Sequence, residues 1–154
     1  MDIAVVAVGK LRPYFRQACD DYVRRLKRYA VLREYEVREV SRAPTAAVQR
    51  AEEAALLEVK IPDASTVVAA AREGTGWSSR ELARQLERWL LAARPLTLVI
   101  GGSEGLGPAM LERATARWSL GPLTFPHELA RVIMFEQIYR AFTILRGEPY
   151  HKGA

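Results

Sequence analysis

Four glycines follow an apolar, strand-like run and mark the segment of this chain that is best suited to hold a ligand. Leu96–Ile100 is apolar at every position except Thr97, and Gly101–Pro108 then reads GGSEGLGP. In α/β proteins the ligand commonly lies where a buried strand ends. Glycine lets main-chain N–H groups approach a bound molecule without an intervening Cβ. This spacing predicts a binding loop whose contacts come from the main chain.

Two common phosphate-binding loops are excluded by the residues around these glycines. A P-loop requires Lys followed by Ser or Thr after its last glycine, whereas Pro108 follows Gly107 here. A dinucleotide loop has the pattern GxGxxG, and the run that starts at Gly105 has Met110 in place of the third glycine. That loop also normally follows the first strand of its domain. The glycines therefore predict a site by position and match neither phosphate motif.

A second segment suited to main-chain contacts, Leu120–Phe125, lies about twenty residues further on. Two loops at the carboxyl ends of neighbouring strands would clamp a flat, uncharged group such as adenine with their N–H and C=O groups. The alternative is a pair of ordinary turns with no ligand, and the spacing alone leaves both open.

Composition indicates an ordinary globular chain with an excess of basic residues. The 154 residues carry a net charge of +5 and a sequence pI of about 9.7, which favours an anionic partner or simply reflects many arginines. Cys19 is the single cysteine, so no disulfide forms within the chain and a reducing compartment is expected. We see no signal peptide and predict no metal site. Charged residues within the C-terminal apolar run exclude a membrane span. The expected location is the cytoplasm.

Alternating strand-like and helix-like segments must position the two loops. Strands are predicted at 3–8, 34–40, 65–71 and 96–100, and a turn is predicted at 73–77. Pro13 predicts a helix start, Pro44-Thr45 opens a helix over 47–59, and Ser78 with Glu81 has capping-box spacing. The pattern predicts an α/β fold with a mostly parallel sheet of five to six strands, helices on both faces, and one domain over residues 1–154.

Two helix faces carry information about partners. The first helix presents a basic face, which indicates either a solvated surface or a nucleic-acid backbone contact, formed by Arg16, Arg24, Arg25, Lys27 and Arg28. The last helix, from Pro126 to about Leu145, is apolar on two opposite sides, one with Met134 and Ile138 and the other with Leu129 and Ile133. A helix apolar all round is buried all round. We therefore expect a homodimer, the alternative being enclosure by its own chain.

Four motifs, in order along the chain, resemble the bacterial ribosomal large-subunit pseudouridine N3-methyltransferases, a family of the SPOUT class. They are VIGGSEGL at 99–106, LTFPH at 123–127, EQIYRAF at 136–142 and RGEPYHK at 146–152. The segment VAVGK at 6–10 and the chain length agree as well, so the resemblance covers essentially the whole chain.

The resemblance implies a C-terminal trefoil knot, a homodimer, and S-adenosyl-L-methionine bound in the knot. It implies methylation of N3 of a pseudouridine, at position 1915 of 23S rRNA, in the assembled 70S ribosome. Cofactor contacts carried over by position are Ala70, Gly101, Leu120, Gly121, Pro122, Leu123, Thr124 and Phe125. The chain departs from the family at 70–75, where AAREGT stands in place of Leu-Asp and Gly-Lys.

Methyl transfer requires alignment of the acceptor nitrogen and removal of its imide proton, by a base or with help from a cation. The candidate residues are His127, Arg131, Arg140, Tyr150 and His151. Tyr150 and His151 rank first for the substrate, with Tyr150 suited to stack on the target base. Arg140 and His127 rank second, since Arg140 has the spacing to pair with Glu136.

Two other functions compete with this interpretation. A non-catalytic RNA-binding module of the same fold is supported by the altered segment 70–75. A nucleotide-dependent oxidoreductase is disfavoured because the dinucleotide pattern fails.

Overall fold

The computed structural model describes residues 1–152, in which helices and strands alternate along the chain. The strands are β1 (Asp2–Val8), β2 (Val31–Val37), β3 (Thr66–Gly76), β4 (Leu96–Ile100) and β5 (Ala116–Ser119). The helices are α1 (Pro13–Leu26), α2 (Ala46–Glu58), α3 (Ser79–Leu91), α4 (Pro108–Arg113) and α5 (His127–Leu145), followed by a short 3₁₀ turn, Pro149–His151.

The five strands form a single sheet in the order β2-β1-β4-β3-β5, and every pairing is parallel. All five residues of β4 are buried, and in β1 only Asp2 is exposed. Such continuous apolar runs are typical of strands covered on both faces. The predicted α/β class, with five strands, is therefore confirmed.

Helices cover both faces of this sheet, and each face has its own core. One core includes Val5, Leu98, Leu86 and Phe135 and lies under α1, α3 and α5. The other includes Val6, Val99, Leu57 and Met110 and lies under α2 and α4. Because successive side chains of a strand point to opposite faces, alternate residues of β1 and β4 supply the two cores.

Several helix starts agree with the sequence. Ser78 accepts from the Glu81 N–H, and the Glu81 carboxylate accepts from the Ser78 N–H at 2.8 Å, which completes the predicted capping box of α3. Thr45 caps α2 by accepting from the Val48 N–H, and Pro13 is the first residue of α1. Cys19 is fully buried against the sheet, as a cysteine on an apolar helix face is expected to be.

Two strands differ from their predicted bounds. The predicted strand 34–40 is displaced, since β2 runs from Val31 to Val37 alongside β1. Val40 is buried outside the sheet, where its N–H donates to Glu53 Oε1 at 2.9 Å. The predicted turn at 73–77 is wrong, because β3 continues to Gly76. The pairing of β3 with β5 shifts its register between Ala70 and Thr75. β5 pairs with β3 both before and after this shift.

The segment between β5 and α5 belongs to the C-terminal region in which the knot is predicted. From the sheet edge, residues 120–126 lead back to α5, which packs against α1 and α3. The trefoil knot itself stays a prediction. Among residues 1–152, no helix has the length and apolar character needed to cross a bilayer.

Candidate methyl-donor cleft

A cleft lies at the carboxyl end of the parallel sheet. Its volume is about 660 Å³, within the range of small-molecule sites. Its walls are formed mainly by the loops that follow β4 and β5 and by the far half of β3. The lining includes residues 70–73, 100–106, 118–121 and 123–125. The two predicted loops therefore line one cleft, and the ligand that they would hold stays a prediction.

The first loop is tight because its glycines approach one another. Gly102 and Gly105 form an isolated bridge, and the Gly105 N–H donates to the Gly102 carbonyl at 3.1 Å. A Cβ added to Gly101 would lie 2.6 Å from the Gly105 carbonyl carbon, a distance that real Cβ atoms do not reach. Any side chain at Gly101 would therefore open the loop.

The second loop contributes both main-chain and apolar surface. Gly121 has φ +107°, and its N–H donates to Ser119 Oγ at 3.2 Å. Of the residues that the resemblance assigns to the cofactor, all but Pro122 line the cleft: Ala70, Gly101, Leu120, Gly121, Leu123, Thr124 and Phe125. Pro122 is exposed.

Some lining residues were not anticipated from the sequence. Trp118 and Ser119 directly precede the predicted second loop, so the position of that loop could have identified them as lining residues. Arg50 from α2, Leu111 from α4 and Ala130 from α5 also line the cleft. No sequence signal identifies these three, because only the packing of their helices brings them to the cleft.

His127, one of the four predicted catalytic residues, lies in this cleft. It is the first residue of α5 and is half-buried. Its Nε2 is 3.3 Å from the position that a Cβ on Gly9 would occupy, so the ring lies against the end of β1. His127 is thus placed to contact a molecule held between the two loops.

The residues next to His127 serve the scaffold. Glu128 accepts from the Arg12 N–H at 2.6 Å and from Arg12 Nε at 2.9 Å. Burial acts to raise the pKa of Glu128, but these hydrogen bonds and the Arg12 charge outweigh it and hold the pKa below its usual value. Arg131 is 1% exposed and donates to Glu36 Oε1 at 2.6 Å and to the Gly9 carbonyl at 2.9 Å. Arg131 therefore links α5 to the carboxyl ends of β1 and β2, which is a structural role.

The other predicted catalytic residues form a separate cluster at the far end of α5. Arg140 pairs with Glu136 at 2.7 Å, as its spacing predicted. The Tyr150 hydroxyl donates to Glu136 Oε1 at 3.1 Å, and the Arg140 guanidinium lies 5.0 Å from the Tyr150 ring centroid. His151 is half-buried, and its Nδ1 has no hydrogen-bond partner within residues 1–152.

Tyr150 is protonated at neutral pH, as a tyrosine with its usual pKa of about 10 already is. Burial raises the pKa of Tyr150 further, well above its usual value, and hydrogen bonding with Tyr22 and the nearby Glu136 charge act in the same direction. The hydroxyl therefore acts as a hydrogen-bond donor in this cluster.

Within one chain, the four predicted catalytic residues are not brought together. His127 and Arg140 are thirteen positions apart on the same helix, which is about 20 Å at 1.5 Å per residue. None of Arg140, Tyr150 and His151 lines the cleft. The cluster and the cleft can meet only through another copy of the chain or through a bound substrate.

The basic face of α1 is largely neutralised by its own neighbours. Arg16 pairs with Asp20 and Glu34, Arg24 and Arg25 pair with Asp21, and Arg28 pairs with Glu148. These pairs weaken the case for this face as a nucleic-acid contact. The described residues contain no His, Cys, Asp and Glu group arranged to hold a metal ion.

Comparisons with known proteins agree with this architecture. A family model described as predicted SPOUT methyltransferase matches residues 1–151. Proteins named ribosomal RNA large subunit methyltransferase H are similar over nearly the whole chain. That of Pseudomonas aeruginosa LESB58 is 41% identical, and that of Anaeromyxobacter sp. Fw109-5 is 42% identical, each match covering 99% of this chain and 100% of the relative.

Among solved structures, a probable methylase family protein from Haemophilus influenzae Rd KW20 superposes with a TM-score of 0.53. The sequence identity is 16%, and the match covers 98% of this chain and 70% of that one, which supports the fold. Together with the family model and the full-length relatives, these findings show that the chain belongs to the SPOUT methyltransferase family.

Proposed function

We propose that this protein transfers the methyl group of S-adenosyl-L-methionine to N3 of a pseudouridine in 23S rRNA of the assembled ribosome. The observation that carries the proposal is the cleft in which the two predicted loops form one site at the carboxyl end of the sheet. The names of the relatives support a large-subunit rRNA as substrate. The choice of nucleotide rests on the four motifs that resemble the pseudouridine N3-methyltransferases.

The cleft residues fit S-adenosyl-L-methionine. Main-chain groups of Gly101 and of the loop around Gly121 offer N–H and C=O partners for an adenine edge. Leu106, Leu120 and Phe125 provide apolar surface for its faces. A cleft of about 660 Å³ also leaves room for the ribose and methionine parts. When bound, this cofactor supplies a methyl group on a positively charged sulfur.

The chain's own residues must align the acceptor nitrogen for attack on the methyl group. They must also accept the proton that leaves this nitrogen, or stabilise the negative charge that its departure creates. His127 is in the cleft and can take a proton from N3 or from a water beside it. The protonated Tyr150 hydroxyl would donate to a base carbonyl by exchanging its acceptor Glu136 for the substrate. Arg140 would stabilise an imide anion, and His151 is the second candidate base.

A homodimer would unite the two groups of residues. The outward side of α5 is only half-buried and carries Leu129, Val132, Ile133, Glu136 and Arg140. Two such helices packed antiparallel about a two-fold axis would place the carboxyl end of one beside the amino end of the other. The Tyr150 and His151 region of one protomer would then face the cleft of its partner. The separation of about 20 Å within one chain supports this arrangement.

The proposal is tested by methyl transfer from labelled S-adenosyl-L-methionine to 70S ribosomes that lack the modification, with free 23S rRNA alongside. Label at N3 of a single pseudouridine is the expected result. Label on ribosomes alone would mean that the enzyme recognises the assembled shape. Cofactor binding with no label would redirect the search to another RNA, and the absence of both would favour a non-catalytic RNA-binding module.

A further inference from the structure

Arg50 places a cationic side chain in the wall of the cleft. It lies on α2, on the sheet face opposite α5, and is half-buried. It begins next to the start of α4, since a Cβ on Gly107 would lie only 3.2 Å from Arg50 Cβ. The side chain therefore starts beside the glycine loop.

The guanidinium of Arg50 is unpaired among the described residues. No carboxylate of residues 1–152 lies within 4.0 Å of Arg50, whereas buried or half-buried arginines such as Arg131 and Arg140 have such a partner. Arg72, the other arginine of the cleft lining, also has no carboxylate that close among these residues. A half-buried guanidinium interacts more strongly with an anion than a fully exposed one, because less water screens the charge. Arg50 is thus available to an anion that enters the cleft.

Within residues 1–152, the rest of the cleft offers no second half-buried arginine or lysine for an anion. Its loops present main chain, apolar side chains and the exposed carboxylate of Glu104, and its other arginine, Arg72, is exposed. We propose that the Arg50 guanidinium binds the carboxylate at the methionine end of S-adenosyl-L-methionine. This inference rests on the proposed function and makes Arg50 a positioning residue, which fixes the direction in which the cofactor lies. The planar guanidinium matches a carboxylate through two parallel hydrogen bonds.

The test compares two ligands that differ in the carboxylate. S-adenosylhomocysteine carries the amino-acid end, and 5′-methylthioadenosine lacks it. Their dissociation constants are measured by calorimetry for the wild type and for Arg50→Gln, Arg50→Lys and Arg72→Gln, with thermal melting to check that each variant is folded. Arg50→Gln should weaken S-adenosylhomocysteine binding about tenfold or more, since hydrogen bonds to charged groups contribute at that scale. It should leave methylthioadenosine binding unchanged.

Partial recovery of S-adenosylhomocysteine affinity in Arg50→Lys would support a charge interaction. Equal affinity of wild type and Arg50→Gln for both ligands would overturn the inference, and so would a selective loss in Arg72→Gln alone. Weakened binding of rRNA by Arg50→Gln, with cofactor affinity intact, would assign Arg50 to a phosphate and also overturn it. If the wild type binds neither ligand, the proposed function itself fails, which is a different outcome.

Discussion

At the scale of single residues, the cleft depends on what Gly101 lacks. Its missing Cβ allows the Gly105 carbonyl carbon to approach to within a distance no side chain tolerates. The main-chain groups of the loop are then presented to the cleft in a fixed arrangement. Binding through the main chain, as proposed, would allow a loop that matches neither phosphate motif to form a site.

We expect Gly101→Ala to abolish or greatly weaken S-adenosylhomocysteine binding, because the added Cβ would lie 2.6 Å from main-chain atoms that cannot move aside cheaply. The measurement is calorimetric titration of the purified variant. Gly76→Ala is the matched control, since a Cβ there meets nothing within 4 Å. Wild-type affinity in Gly101→Ala would show that the loop does not hold the ligand.

Substitutions in the Tyr150 cluster should separate catalysis from cofactor binding. His151→Ala should reduce methyl transfer to rRNA roughly a hundredfold, as expected for loss of an acid–base group. Tyr150→Phe should reduce it about tenfold through loss of one hydrogen bond. Both should bind S-adenosylhomocysteine normally, because neither residue lines the cleft of its own chain. Loss of cofactor binding in either variant would contradict this assignment.

At the scale of elements, the amino end of α5 is attached to the loop before α1 by Glu128. This carboxylate, with a side chain only 10% exposed, accepts two hydrogen bonds from Arg12. Arg131, one turn further on, binds the Gly9 carbonyl at the end of β1. Glu128 and Arg131 together position His127 in the cleft. The placement of this candidate catalytic residue thus depends on two residues with a structural role.

The lowered pKa of Glu128 gives its stabilisation a definite pH dependence. The contribution is complete above the unfolded-state pKa of about 4.3 and is lost as the pH falls through the lower folded-state value. Glu128→Gln should therefore reduce the free energy of unfolding at pH 7 by about 1 kcal/mol or more. Urea denaturation at pH 7 and again below about pH 4 measures this. A wild-type advantage that does not shrink in acid would contradict the assignment.

At the scale of the whole molecule, one chain contains both halves of the proposed site but keeps them apart. The cleft and His127 are at one end of α5, and Tyr150 and Arg140 are at the other. The half-buried outward side of α5 offers a surface along which a second copy would bring opposite ends together. The proposed dimer would thus serve the chemistry as well as cover the apolar surface.

A mixed dimer tests this shared site directly. One chain carries Gly101→Ala, which disables its cleft, and the other carries His151→Ala, which disables its C-terminal group. If each site uses the cleft of one chain and the tail of the other, the purified mixed dimer keeps one intact site and about half of the wild-type rate. Each homodimer should be nearly inactive. An inactive mixed dimer would place each site within a single chain.

Local patterns in the sequence determined much of the fold and the centre of the site. The apolar run Leu96–Ile100 is β4 with the predicted bounds, and Ser78 and Glu81 form the predicted capping box. The capping box joins residues three positions apart, so the local sequence contains the whole interaction. The bounds of β4 are also marked locally, because its apolar run lies between Pro95 and Gly101. The glycine loop lines the cleft, at the place that the preceding strand predicts for it.

Only the tertiary structure decided features that depend on distant partners. β3 continues past Ala70 because β5, more than forty positions later, pairs with Thr75 and Gly76. Two arginines of the predicted basic face, Arg16 and Arg28, pair with Glu34 and Glu148, which lie outside α1. Arg50 reaches the cleft because α2 packs beside α4. Such contacts join residues far apart in sequence, and no local spacing specifies which distant residues will meet.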